Sequence, residues 1–381
     1  MFELHLSEFT LEEFLRDYWQ QKPVLIRQGF KNFSDPISAD ELAGLAMEDE
    51  VESRLVYKKS QQWQAEFGPF ESYDHLGEQD WSLVIQALDN WSEDAAKIIE
   101  PFRFIPHWRL DDLMASFATK GGSVGPHIDK YDTFICQGSG RRHWRVGDKG
   151  DHQEFSAHEV LLHVEQFDAI IDVEVNAGDI LYIPPGFPHE GVSLDTSMSF
   201  SVGFRTTSTM NLCSGLADHL IDNELGDELI EDPQRKAINC SGEINKSDYQ
   251  LIKRQLSKVL DNDSLMKQFI GCYFTKAKHD LDLIPNDESL AADDISEILT
   301  TNSLMRLGGL RAFYFSDTVQ QGLCYIDGSE YTFAADIAPA IQLLCDNVET
   351  TPTQLLSWHN NDDFITFIRV QINAGYWYFS E

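Results

Sequence analysis

The chain carries Gly125-Pro126-His127-Ile128-Asp129 and, far downstream, Pro185-Gly186-Phe187-Pro188-His189. Two imidazoles and one carboxylate form the donor set that binds one face of an iron(II) ion and leaves the other face open for a co-substrate and oxygen. His127, Asp129 and His189 are therefore candidate metal ligands and the candidate catalytic centre of an oxygen-using enzyme. In a strand, alternate residues share a face, so His127, Asp129, Tyr131 and Thr133 would project together. The run from Gly178 to Gly186 reads as a turn, a strand and a rigid Pro/Gly corner able to hold His189 opposite that pair.

A His-x-Asp pair is a short motif whose meaning depends on its context. Here Gly138-Ser139-Gly140 forms a turn, and the returning strand carries Arg141, Arg142, His143, Trp144 and Arg145. An oxygenase that uses 2-oxoglutarate needs a cation for the far carboxylate, and arginine offers that group two parallel hydrogen bonds. Arg142 is the candidate. Tyr131, Thr133 and Ser201 could add hydroxyl contacts to the same co-substrate, although core or solvent-facing roles account for each equally well. His152, His158 and His163 do not share a helical face and are expected on loops rather than in a second metal site. Neither a Gly-x-Ser-x-Gly elbow nor a phosphate-cradling Gly-x-x-x-x-Gly-Lys loop is present.

A length of 381 residues with 42% hydrophobic and 12% aromatic content supports two or three cores. No apolar stretch is long enough to span a bilayer, and Met1-Phe2-Glu3-Leu4-His5 lacks the basic start of a secretory signal, so a soluble cytoplasmic protein is expected. The six cysteines are widely spaced without a Cys-x-x-Cys pair, which disfavours a zinc knuckle or disulfide framework. A net charge of −34 opposes direct nucleic acid binding and would attract a basic protein.

The elements that must position the candidate residues are partly readable. Thr10 with Glu13 makes a capping box and Phe9 with Phe14 a hydrophobic staple, opening a helix from Leu11 to about Gln20. Pro23 ends it, and Val24-Leu25-Ile26 reads as a strand. Residues 35–100 are expected to form a packing layer with helices near 39–47 and 81–91. From Phe102 to Phe204 short β-rich runs (132–137, 143–146, 169–173, 199–204) suggest a barrel or sandwich. Leu212, Leu216, Leu220 and Ile221, then Tyr249, Ile252, Leu256 and Leu260, mark helical stripes. An acidic linker is expected over 280–294. Beyond it, helical patterns at 339–344 and 364–372 with a closing strand Tyr376-Trp377-Tyr378-Phe379 fit a winged-helix-like domain.

His127-Ile128-Asp129, Arg142, Ile183-Pro184-Pro185-Gly186-Phe187-Pro188-His189-Glu190-Gly191 and Ser201-Val202-Gly203-Phe204-Arg205 resemble the JmjC-type ribosomal oxygenases. The likeness extends to Tyr18–Ile26, Arg109–Met114, Arg306-Leu307-Gly308-Gly309-Leu310 and Gly375-Tyr376-Trp377, nearly the whole chain. It implies an α+β fold with three parts: a double-stranded β-helix (cupin/JmjC) barrel with N-terminal helical elements over 1–206, a helical dimerisation segment over 207–278 and a winged helix over 279–381. It also implies iron(II) on His127, Asp129 and His189, 2-oxoglutarate on Arg142, O2 as co-substrate, and a homodimer. Histidine-hydroxylating relatives use Lys at the anchoring position, so Arg142 leans toward the bacterial branch. That branch hydroxylates the β-carbon of an arginine in a basic large-subunit ribosomal protein, protein 16. A JmjC-type lysine demethylase, a hydroxylase of another side chain, and a non-enzymatic cupin plus winged-helix regulator are the alternatives.

Overall fold

The computed structural model describes residues 2–60, 62–205, 207–283 and 290–380, which divide into two compact units. The first holds residues 1–206 with 279–282, and the second holds 207–278 with 283–381.

In the first unit, α1 (Leu11–Asp17) starts at the Thr10–Glu13 capping box. It stops three residues short of Gln20, because Gln20 adopts a positive φ. Strand β1 (Val24–Ile26) and helix α2 (Ala39–Leu45) follow, then a hairpin of β2 (Ser53–Lys59) and β3 (Gln62–Phe67), β4 (Trp81–Ile85) and the short α3 (Glu93–Ala96). Next come β5 (Leu110–Ala118), β6 (His127–Ile128), β7 (Asp132–Gln137), β8 (Arg141–Gly147), β9 (Glu154–His158) and β10 (Leu161–Val164). The unit ends with β11 (Ala169–Asn176), β12 (Ile180–Ile183), β13 (Pro188–Ser193) and β14 (Ser197–Phe204). An eight-stranded sheet has the order β1-β12-β7-β14-β5-β4-β2-β3, and a four-stranded sheet the order β11-β8-β13-β6.

Three expectations change here. Residues 81–91 are not a helix: Trp81-Ser82-Leu83-Val84-Ile85 is a strand paired with β2 and β5, followed by a short 3-10 turn at Leu88–Asn90. Residues 127–133 are not one strand: a bend after Asp129 carries the chain from the small sheet, where β6 pairs with β13, to the large sheet, where β7 pairs with β12 and β14. Nor does β8 return beside β7. The Gly138–Gly140 turn moves the chain back to the small sheet, where β8 pairs with β11 and β13. Crossing between facing sheets in this way is what makes the barrel a double-stranded β-helix.

Period-two alternation sorts the large sheet's side chains. Leu83, Ile85, Leu113, Ala115, Phe134, Cys136, Phe200 and Val202 join Phe14 and Leu42 of the helices in one core. Their alternating neighbours Ser82, Val84, Asp112, Met114, Ser116, Thr133, Ser199 and Ser201 face a cavity between the sheets. The N-terminal helix is pinned to this sheet by a buried network: Tyr182 Oη donates to Asp132 Oδ1 at 2.6 Å, and Gln20 Nε2 to Asp132 Oδ2 at 2.9 Å. Below the cavity, Ile135, Trp144, Val146, Leu181, Ile183 and Phe187 pack the two sheets together.

The second unit opens with α4 (Thr209–Asp222), α5 (Lys246–Leu260) and α6 (Asp263–Thr275), as the stripes predict. Leu212, Leu216 and Leu220 are half-buried, but Ile221, Tyr249, Ile252, Leu256 and Leu260 are exposed. Then follow α7 (Ala292–Ile298), β15 (Leu304–Arg306), β16 (Ala312–Phe313), β17 (Leu323–Ile326), β18 (Ser329–Thr332), α8 (Ala338–Asp346), β19 (Glu349–Thr350), α9 (Pro352–Leu355), α10 (Asp362–Asn373) and β20 (Trp377–Phe379). They form two three-stranded sheets, β19-β15-β20 and β16-β17-β18. Helix α6 packs on the second of these, with Gly271 against the Tyr325 ring. Of the expected acidic linker, residues 284–289 lie outside the described residues, and 280–282, with His279 before them, group with the first unit. Among the described residues no helix is long and apolar enough to cross a membrane.

Candidate active site

His127 on β6 and His189 on β13 are directly paired across the small sheet, with ring centroids 4.3 Å apart. Each Nδ1 bonds the carbonyl two residues upstream: His127 to Gly125 at 2.9 Å, His189 to Phe187 at 3.0 Å. A carbonyl only accepts, so each Nδ1 carries the proton and each Nε2 presents a lone pair. Asp129 places Oδ1 3.9 Å from His127 Nε2 and Oδ2 3.5 Å from His189 Nε2. One ligand atom from each of the three lies within 4.8 Å of the others, and no other such cluster exists among the described residues. Two imidazole nitrogens fixed in the ligating tautomer, plus one carboxylate, fit a divalent transition metal.

Local backbone makes this arrangement possible. Gly125 has φ +85°, and a Cβ there would sit 2.2 Å from the His163 ring, so only glycine lets its carbonyl reach His127. Gly186, φ +89°, donates its N–H to the Asp129 carbonyl at 2.9 Å and ties the two ligand-bearing loops together. Burial, and then the neighbouring His127, press His189 down to about 4. As pH falls below about 6.5 an unfolded chain protonates this histidine while the folded chain resists until about 4, so metal-free protein loses stability over that window, by roughly 3 kcal/mol at its acid end. Urea melts of metal-free protein at about pH 7 and pH 4 should show the loss, and His189→Gln should reduce it; identical pH dependence in the two proteins would contradict this origin.

Arg142 on β8 is 6% exposed and lines the same cavity, of about 350 Å³. Its Nε donates to Ser197 Oγ at 3.0 Å and its Nη2 to the Ser116 carbonyl at 2.9 Å. Among the described residues it has no carboxylate partner within salt-bridge distance. Burial lowers its guanidinium to about 10, which leaves it charged at neutral pH. His189 pairs with Val146 and Ser193 with Arg142. That is four residues along β8, roughly 13 Å at the rise of a strand, so the arginine and the metal cluster stand at different levels of one cavity. Trp144 lies between, and Gly191 opposite it has no room for a side chain, since a Cβ would meet the indole at 2.6 Å. Gly191→Ala is expected to destabilise by about 1–3 kcal/mol through overpacking, read as a lower Tm.

Tyr131, Thr133 and Ser201 all line this cavity; burial, with the Asp129 charge, pushes the Tyr131 phenol up. His158 and His163 lie on β9 and β10 rather than on loops. They are there because 154–164 folds as a two-stranded ribbon. His163 is buried, lines the cavity and bonds the Val124 carbonyl through Nε2 at 2.9 Å. The supposed packing layer also contributes walls through Arg54, Ser82, Val84 and Gln86, and β5 adds Asp112 and Ser116. None of these carries a sequence signal beyond alternation along strands that the sequence reading missed or misread.

A double-stranded β-helix with a His-x-Asp/His cluster at one end of its cavity and a buried arginine at the other defines the cupin-type oxygenase class. Residues 97–212 match the JmjC domain family and residues 258–378 the ROXA-like winged helix. The chain is 43% identical to ribosomal protein uL16 3-hydroxylase of Escherichia coli (strain K12), over 96% of this chain and 97% of that one. An X-ray structure of E. coli YcfD superposes with a TM-score of 0.93 at 41% identity, covering 99% of this chain and 100% of that one. The structure of YcfD, a ribosomal oxygenase, with cobalt and 2-oxoglutarate gives 0.91 at 40% identity and covers both chains fully. The chain belongs to the JmjC-type ribosomal oxygenases.

Proposed function

We propose that this protein is an Fe(II)- and 2-oxoglutarate-dependent hydroxylase that places a hydroxyl group on the β-carbon of an arginine in ribosomal protein uL16. The observation that carries the co-substrate is Arg142, a buried guanidinium facing the triad's cavity without a carboxylate partner among the described residues. An unpaired buried charge is costly and calls for an anion. When bound by His127, Asp129 and His189, iron supplies the oxygen activation that couples decarboxylation of 2-oxoglutarate to succinate and carbon dioxide with insertion of one oxygen atom into a C–H bond.

The chain's own residues do the positioning. Arg142, held by Ser116 and Ser197, fixes the distal carboxylate, and Tyr131, Thr133 and Ser201 provide hydroxyls along the way. The metal's position sets which carbon is reached. The cavity wall also carries carboxylates outside the triad, Asp112 and Glu154, which make it favourable to a basic side chain. The net charge of −34 favours encounter with a basic ribosomal protein and disfavours direct binding of nucleic acid. The exposed Tyr249, Ile252, Leu256 and Leu260 on α5 supply an apolar face on which a second copy packs, giving a homodimer, and the soluble enzyme works in the cytoplasm.

The test is mass spectrometry of uL16 incubated with enzyme, iron(II), ascorbate and 2-oxoglutarate. An added oxygen on an arginine, with stoichiometric succinate, is expected. Formaldehyde released from a methylated peptide, with unmodified uL16, would instead establish a demethylase.

A further inference from the structure

His163 on β10 is 2% exposed, and its ring lies directly over Gly125, where a Cβ would come within 2.2 Å of it. Trp63 of β3 meets that ring edge-on with centroids 4.8 Å apart, and Phe155 of β9 does so at 6.1 Å, so packing fixes the imidazole's orientation. Nε2 stands 2.9 Å from the Val124 carbonyl. A carbonyl only accepts, so Nε2 carries the proton and donates. The main chain of β10 adds a bond one residue on, from Val164 N–H to the Pro126 carbonyl at 3.0 Å. Within the segment itself, Ser123 Oγ accepts from Gly125 N–H at 3.0 Å, and the ring of Pro126 fixes its own φ. The Gly125 carbonyl thus lies between two anchored carbonyls, aimed at His127 Nδ1 2.9 Å away.

We propose that His163 is a positioning residue for the metal: by holding the Val124 carbonyl it fixes the Gly125 peptide, and through that peptide the ring angle and tautomer of His127. The inference rests on the reading of His127, Asp129 and His189 as metal ligands. The two imidazoles differ in how firmly the sheet holds them. His189 lies on β13, an interior strand paired on both sides, whereas His127 lies on β6, a two-residue strand at the edge of the same sheet. So short a ladder leaves the His127 backbone to be fixed from the other side, and β10 supplies that hold. Groups that orient a metal-bound imidazole raise metal affinity, and a donor ordered beforehand loses less freedom on binding.

Cobalt(II) titration of the full chain, read by calorimetry and by the visible absorption of the cobalt protein, tests this without turnover. His163→Phe keeps an aromatic ring and removes the donor. It is expected to weaken cobalt binding about tenfold, the lower end of the range for groups that orient a metal ligand, and to alter the visible bands, which respond to ligand geometry. His163→Gln, which keeps an N–H donor, should recover most of the affinity and the wild-type spectrum. Trp63→Phe disturbs the packing of the ring but keeps the bond, and should change neither. With cobalt saturating, the Kd for 2-oxoglutarate should match wild type in all three, since Arg142 shares none of these bonds. Unchanged affinity and spectrum in His163→Phe, even with a lower Tm, would mark the histidine as packing only and overturn the proposal, as would an equal loss in Trp63→Phe. Ser123→Ala removes a separate hold on the same segment and should weaken cobalt binding in the same direction; if His163→Phe does not fold, unchanged affinity in this variant overturns the proposal. Wild-type protein that binds no cobalt would instead sink the reading of the triad.

Discussion

Arg142→Met is expected to raise the KM for 2-oxoglutarate by roughly 10²–10³-fold, the cost of removing one partner of a buried charge-to-charge hydrogen-bonded pair. The substitution nearly preserves length and volume, so it isolates the charge. Among the described residues, buried Arg142 has serine hydroxyl and main-chain hydrogen-bond partners and no carboxylate. Exchanging such a charge for an apolar side chain is neutral or stabilising, so Tm without ligand should stay the same or rise while 2-oxoglutarate binding collapses. Stability and binding moving in opposite directions separates an anchoring role from a structural one. Arg142→Lys keeps a charge but loses the planar fork, and should fall between wild type and methionine. An unchanged KM for 2-oxoglutarate in Arg142→Met would remove the basis on which the co-substrate is assigned.

That residue was legible before any fold was known, and so was the triad, because both depend on types and local order: His-x-Asp, a Pro/Gly corner before His189, and a glycine turn before Arg142. What the sequence obscured was how these pieces are joined. His127, Asp129, Tyr131 and Thr133 were expected along one strand. They line one cavity although the strand breaks after Ile128, because the bend crosses between facing sheets and both inner faces look into the same space. Four residues of the cavity wall were reached through an incorrect element.

The misreading of 81–91 has a different cause. In β4 every residue after Trp81 is buried, since the strand lies between β2 and β5 with a helical core on one side and the cavity on the other. When both faces are covered the period-two signal disappears, and a short apolar run can no longer be told from a helix by periodicity. That error hid the cavity-facing Ser82 and Val84. Asp112 was hidden otherwise: Asp111-Asp112 in an acidic chain looks like solvated surface, and only strand pairing shows that one of the two points inward.

Asp129→Ala is expected to abolish hydroxylation and to weaken metal binding by at least about 100-fold, since loss of a mere hydrogen-bonding partner of a ligand already costs 10–100-fold. Both imidazoles remain, with tautomers set by Gly125 and Phe187, but they are neutral, and the only anionic member of the cluster is gone. Thermal shift with cobalt(II) reads the change without turnover. At a metal concentration about 100 times the wild-type Kd, binding stabilises the folded state by roughly 2.7 kcal/mol, whereas a 100-fold weaker site leaves roughly 0.4 kcal/mol. The wild-type protein should therefore show a clear metal-dependent rise in Tm and the variant almost none. Asp129→Asn, which keeps the shape and one oxygen donor but not the charge, should lie between them and so divide the contribution of charge from that of coordination. Hydroxylation of uL16 that survives in Asp129→Ala would end the oxygenase reading of this cluster, whatever the fold around it.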